Sequence, residues 1–88
     1  IPHMGWNNVY QTQAHPLFKD INQDTRFYFV HSYYFVPKDK RIILGKSDYP
    51  HEFACVVGKD NVFATQFHAE KSHDAGLLLL RNFLHWNG

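Results

Sequence analysis

Apolar and polar positions along the 88 residues divide into short blocks that predict several strands followed by one helix. Pro2, Gly5 and the Asn7-Asn8 pair make the first ten residues read as a turn running into a short strand. His15 to Asp24 is polar apart from Leu17, Phe18 and Ile21, which predicts a short helical turn and a loop. Arg26 to Val36 is the strongest strand signal. Phe27, Tyr28, Phe29, Val30, Tyr33, Tyr34, Phe35 and Val36 crowd it with aromatic and β-branched side chains, and near-continuous apolarity predicts a strand covered on both faces. Pro37 to Lys40 is a turn and Ile42 to Gly45 a short strand. Phe53–Val57 and Val62–Phe67, joined by the polar Gly58-Lys59-Asp60-Asn61, predict a β-hairpin. Ser72-His73-Asp74 opens a helix, with its N-cap at or near Ser72. The helix continues through Leu77, Leu78, Leu80, Phe83, Leu84 and Trp86 to a stop at Asn87-Gly88. Its apolar residues spread over more than one face, so it is expected to be substantially buried.

A sheet with one helix leaves one face bare, and a doubly apolar strand calls for another layer. The start at Ile1-Pro2-His3, without Met or a polar lead-in, reads as mid-domain sequence. Both features predict a piece of a larger domain. Composition supports a globular chain, with 44% hydrophobic and 17% aromatic residues. A formal net charge of +1 is too weak to imply nucleic-acid or membrane binding. Apolar runs such as Gly76 to Leu80 are far shorter than the ~20 residues a membrane helix needs. The single cysteine, Cys55, cannot pair within the chain, which favours a reducing, cytoplasmic setting.

The segment that carries chemistry is Gln66-Phe67-His68-Ala69-Glu70-Lys71-Ser72, at a strand end just before the helix. Residues two apart in an extended chain share a side at roughly 6–7 Å. Glu70 can therefore lie against one imidazole nitrogen of His68, fixing its tautomer and stabilising the imidazolium. That is the base and orienter of a catalytic triad without its nucleophile. Two other readings of the same spacing stay open: an exposed His and Glu with no chemistry, and a metal site of His68, Glu70 and His73.

Gln66-Phe67-His68-x-Glu70-Lys71-Ser72 resembles the Q-F-H-P-E-K-S signature of class I glutamine amidotransferases. The resemblance implies that His68 is the general base and that Glu70 orients it. Ala69 stands where the family usually has proline, which loosens the backbone but keeps both functional side chains. Pro2-His3-Met4-Gly5-Trp6-Asn7 and Phe29-Val30-His31-Ser32-Tyr33-Tyr34 are similar to segments of the glutaminases of imidazole glycerol phosphate synthases. The closing helix fits as well, so the resemblance spans the chain in order. It implies an α/β fold of which residues 1–88 are the C-terminal portion, mostly strands and then one helix. Ser32 and Tyr33 would contact the glutamine substrate. Met4, Trp6, Asn7 and Lys71 would face a cyclase subunit, the partner in a heterodimer. No cofactor or metal is implied. Each role has a plainer counterpart: Trp6 as a packed aromatic, Ser32 and Tyr33 as the end of a strand, Lys71 as a solvated charge, and His31 as a hydrogen-bonded structural histidine.

The family attacks the glutamine amide with a cysteine on a sharp strand-to-helix turn. Cys55 lies instead in the strand sequence Phe53-Ala54-Cys55-Val56-Val57 and is expected to be a packed core residue. The nucleophile is then expected in an N-terminal half outside these residues, and the 88-residue chain alone is expected to be inactive. Intact, such an enzyme would release ammonia for imidazole-ring synthesis in histidine biosynthesis. The alternatives are a paralogue feeding a surface-sugar synthase and a non-catalytic relative that binds a partner.

Overall fold

The computed structural model describes residues 3–31, 35–49 and 51–86. Five strands, β1 (His3–Gln11), β2 (Thr25–His31), β3 (Ile43–Asp48), β4 (Glu52–Lys59) and β5 (Val62–Thr65), precede one helix, α1 (His73–His85). All strand pairs are antiparallel, in the order β2-β1-β3-β4-β5. The sheet curls until Phe67, just past β5, forms an antiparallel bridge with Phe29 of β2. This architecture agrees with the expected α/β class, strands first and one helix last. No described helix is long and apolar enough to cross a membrane.

The turn expected in the first residues is absent from the described ones: β1 runs unbroken from His3. Asparagine disfavours strands, but pairing with β2 overrides that local preference. Residues 3–9 pair with β2, and Tyr10 and Gln11 pair with β3. Where β1 and β3 part, side chains bridge them. Asn7 Nδ2 donates to the Asp48 carbonyl at 2.8 Å, and Ser47 Oγ donates to the Asn8 carbonyl at 2.7 Å.

Three further expectations need correction. The described aromatic strand, Thr25–His31, is buried on one face only. Phe27 and Phe29 point inward, whereas Arg26 and Val30 are exposed. Within the predicted 26–36 strand, residues 32–34 lie outside the described set, and Phe35 and Val36 are not in a strand. β3 does not stop at Gly45. A register shift there lets the strand continue to Asp48, and the missing side chain makes room for Val9 Cγ1 and Val56 Cγ2, which would stand 3.1 and 3.2 Å from a Cβ. The helix buries one stripe, Gly76, Leu79 and Asn82, and leaves Leu77 and Leu84 exposed. The expected stop at Asn87-Gly88 lies outside the described residues.

The hairpin forms as predicted but turns more tightly. Lys59 pairs with Val62, so Asp60-Asn61 alone make the turn. Asp60 takes φ 56°, which its short polar side chain tolerates. The Pro16–Phe18 helical turn is also present, capped by His15 Nδ1 accepting from the Leu17 amide.

The core lies between the curled sheet and α1. Val9, Phe27, Phe29, Leu44, Phe53, Cys55, Val56 and Phe67 meet Leu17 and Leu79 there. Each fully buried Phe contributes about 1.5–3 kcal/mol by leaving water. Asn82 fastens the helix to the Pro16–Phe18 turn: its buried Nδ2 donates to the carbonyls of Leu17 and Lys19, both at 2.8 Å. At the opposite end, buried His3 is sandwiched between Phe29 (centroids 4.5 Å) and Tyr49 (4.2 Å). Its Nδ1 shares a hydrogen bond with His31 Nε2 at 2.9 Å, as a structural role for His31 requires.

Burial first, and His31 second, hold the His3 pKa below its ordinary 6.5. Burial acts on His15 in the same direction. The unfolded chain therefore binds protons more readily than the folded one, so stability is full above about pH 6.5 and falls as pH drops towards the folded value. Thermal unfolding followed from pH 7.5 to 5 should show Tm decreasing. His3→Gln should flatten that decrease while lowering Tm at pH 7.5.

Candidate active site

His68 stands where β5 has ended and the chain turns towards α1. The outer edge of β2 positions it. The His68 amide donates to the Tyr28 carbonyl at 2.8 Å, next to the Phe29–Phe67 bridge. Ala69–Lys71 then form one 3-10 turn, in which the Lys71 and Ser72 amides donate to the carbonyls of His68 and Ala69. The turn brings Glu70 back beside the imidazole, with His68 Nδ1 and Glu70 Oε2 2.9 Å apart.

A carboxylate only accepts, so Nδ1 carries the proton and donates, and Nε2 is left with its lone pair outward of the pair. The hydrogen bond from His68 is the largest of the influences that hold the Glu70 carboxyl below the usual carboxylate range. Glu70 is therefore charged at neutral pH and favours the imidazolium when Nε2 takes a proton. Both side chains are open to solvent, at 40% for His68 and 63% for Glu70. The arrangement can orient and stabilise a base, and it contains no nucleophile.

Cys55 does not supply one. It is fully buried in β4, and burial pushes its thiol up to about 12. It is thus neutral at physiological pH, as a packed residue rather than an activated one would be. The metal reading of His68, Glu70 and His73 finds no geometry: among the described residues no group of three or more His, Cys, Asp or Glu side chains could hold an ion. His73 instead stacks its ring on Trp6, with centroids 5.4 Å apart and planes at 4°.

Ser32 and Tyr33 lie outside the described residues. Met4 and Trp6, 67% and 42% exposed, stand two apart on the open face of β1. Asn7 falls on the opposite face by strand alternation and is occupied there with Asp48 and His3. Lys71 is exposed in the same turn as Glu70. Of the residues expected at a partner face, Met4 and Trp6 thus share a side of β1 and Asn7 lies on the other.

Comparison with known proteins identifies the family. The family model described as "Glutamine amidotransferase class-I" matches residues 1–86. The chain belongs to that family. Among curated relatives, the "Imidazole glycerol phosphate synthase subunit HisH" of Neisseria meningitidis serogroup B is 77% identical over 86 residues. That match covers 98% of this chain and 41% of the relative. The proteins of the same name from Neisseria gonorrhoeae and Chromobacterium violaceum are 73% and 62% identical, with 41% and 42% of their length covered. The chain thus spans about two fifths of the length of the curated relatives it matches.

Two residues that hold this amidotransferase turn in place escape sequence reasoning. Ser72, expected as a helix cap, makes no capping bond with its side chain. Its hydroxyl instead reaches Tyr28 and His68. At Gly76 a Cβ would collide with the Ala69 carbonyl oxygen. The only local signal is a glycine within a helical pattern, which costs about 1 kcal/mol against alanine and so asks for a packing reason.

Two measurements check these assignments. A chromogenic disulfide reagent should leave Cys55 unmodified in the native chain at pH 8 and modify it fully in denaturant. In urea titrations Gly76→Ala should lower stability by about 1–3 kcal/mol, because a backbone collision outweighs the gain in helix propensity.

Proposed function

We propose that this chain carries the general base of a glutaminase serving imidazole glycerol phosphate synthase, with His68 as the base and Glu70 as its orienter. The observation that carries this reading is the 2.9 Å bond between His68 Nδ1 and Glu70 Oε2. It leaves Nε2 to take a proton from a thiol and return it to departing ammonia. The nucleophilic cysteine comes from sequence outside these 88 residues, since Cys55 is buried and protonated. Residues 1–88 are then the C-terminal portion of the amidotransferase domain, and by themselves hydrolyse no glutamine.

In the assembled enzyme Ser32 and Tyr33 contact glutamine. The exposed Met4–Trp6 side of β1, together with Lys71, faces a cyclase subunit that uses the ammonia to close the imidazole ring in histidine biosynthesis. Asn7 serves that face indirectly, by bracing β1 against Asp48. The enzyme works in the cytoplasm. The names and high identities of the relatives favour the histidine pathway over the surface-sugar alternative.

The test is glutamate release from glutamine by the chain mixed with the part of the meningococcal relative that lies outside the match, with the cyclase subunit present. Activity is expected only in the mixture. His68→Ala should lower it about 10²–10⁴-fold, the usual contribution of a positioned base, and Glu70→Gln should also lower it. Silence in a mixture whose parts demonstrably associate would sink the glutaminase reading and favour a non-catalytic binding protein.

A further inference from the structure

The backbone around His68 has one fastening that neither the sheet nor the helix supplies. Ser72 is 1% exposed. Its Oγ accepts from the Tyr28 amide at 2.9 Å and donates to the His68 carbonyl at 2.6 Å. Tyr28 belongs to β2, 44 residues earlier. The Tyr28 carbonyl simultaneously accepts the His68 amide at 2.8 Å. Tyr28 and His68 are thus joined twice, once directly and once through a single hydroxyl. A hydroxyl can close that ring because it donates and accepts at the same time.

From this geometry we infer that Ser72 is a positioning residue for His68, holding the base against β2 so that Glu70 can reach its Nδ1. The inference rests on the reading of His68 as the base. Without the hydroxyl, the Tyr28 amide is left facing a methyl group in a dry site, and an unsatisfied buried donor is costly. The 3-10 turn then loses one of its two ties to β2. Glu70 depends on that turn for its approach to the ring, since its own side chain is 63% exposed and that of His68 40%. Gly76 completes the device. Its amide donates to the Ser72 carbonyl at 3.2 Å, and its bare Cα lets the helix start pass beneath Ala69. Threonine keeps the hydroxyl and so retains the function; alanine does not.

Nuclear magnetic resonance on the 88-residue chain tests this without any need for catalysis. In the unmutated chain the Ser72 hydroxyl proton should be protected from exchange and close to the Tyr28 amide. Its absence from slowly exchanging signals, with several Ser72 rotamers populated, would overturn the inference even if no variant folds. In Ser72→Ala the His68 Nδ1 proton that reports the bond to Glu70 should broaden or vanish. The His68 amide should exchange roughly tenfold faster, as for loss of about 1.4 kcal/mol. Amides of α1 near Asn82 should keep their protection, and Ser72→Thr should restore the His68 signals. An unchanged Nδ1 proton in Ser72→Ala, or equal acceleration of every amide, would reduce Ser72 to an ordinary stabilising residue. In the reconstituted mixture Ser72→Ala should lower kcat with KM nearly unchanged. If His68→Ala leaves glutamate release intact, the reading of His68 as the base fails, whereas the resonance result still decides what Ser72 does.

Discussion

Tyr28 offers both of its outward backbone groups to the segment that follows β5, and the rest of the molecule is arranged around that return of the chain. β2 lies at one end of the strand order, so without a cover its outer edge would present unpaired donors and acceptors. Phe67, His68 and Ser72 fill that edge with a bridge, an amide and a hydroxyl. The same contact curls the sheet, seats Phe67 on Phe27 at a centroid distance of 4.2 Å, and fixes where α1 begins. Edge protection and placement of the candidate base are therefore one structural event.

The helix is held from its other end by a different device. Leu79 enters the core, and Asn82 bonds the carbonyls of Leu17 and Lys19, in and just after the Pro16–Phe18 turn, which no strand ladder reaches. A buried amide with both donors used is a specific clamp, because sliding the helix by one residue would strand those groups in a dry site. Fastened at Ser72 and Asn82, the helix can bury a narrow stripe and still be fixed in rotation. This explains how its outer leucines remain exposed without loss of register.

Two histidine environments show how little the residue type alone decides. His3 is stacked between aromatic rings beside a second histidine, and its pKa falls because charge is unwelcome there. His68 is part-exposed, with one ring nitrogen bound to a carboxylate. Of the two, only the second pairs its ring with a carboxylate and stands open to solvent. Cys55 makes the same point for nucleophiles: a thiol in a β-strand core is packing material, whatever its reactivity would be on an exposed turn.

Much of this was legible from local pattern. The aromatic β2 stretch, the Phe53–Phe67 hairpin and the closing helix follow from periodicity and turn chemistry within short windows. The pairing of His68 with Glu70 was expected from strand alternation, but a 3-10 turn brings it about. The assignment of Cys55 to the core was legible too, since a lone cysteine among Phe, Ala and Val belongs to a buried strand. The tertiary structure alone decided which strand faces were covered. It turned Asn7-Asn8 from an apparent turn into a central strand and left one side of β2 and of α1 bare. It also gave Ser72, Gly76 and Asn82 duties their own neighbourhoods do not announce. The physical reason is range. The duties of Ser72 and Asn82 depend on backbone groups tens of residues away, as Tyr28 is from Ser72 and Leu17 from Asn82, and local propensity carries no information about which distant carbonyl or amide will need a partner.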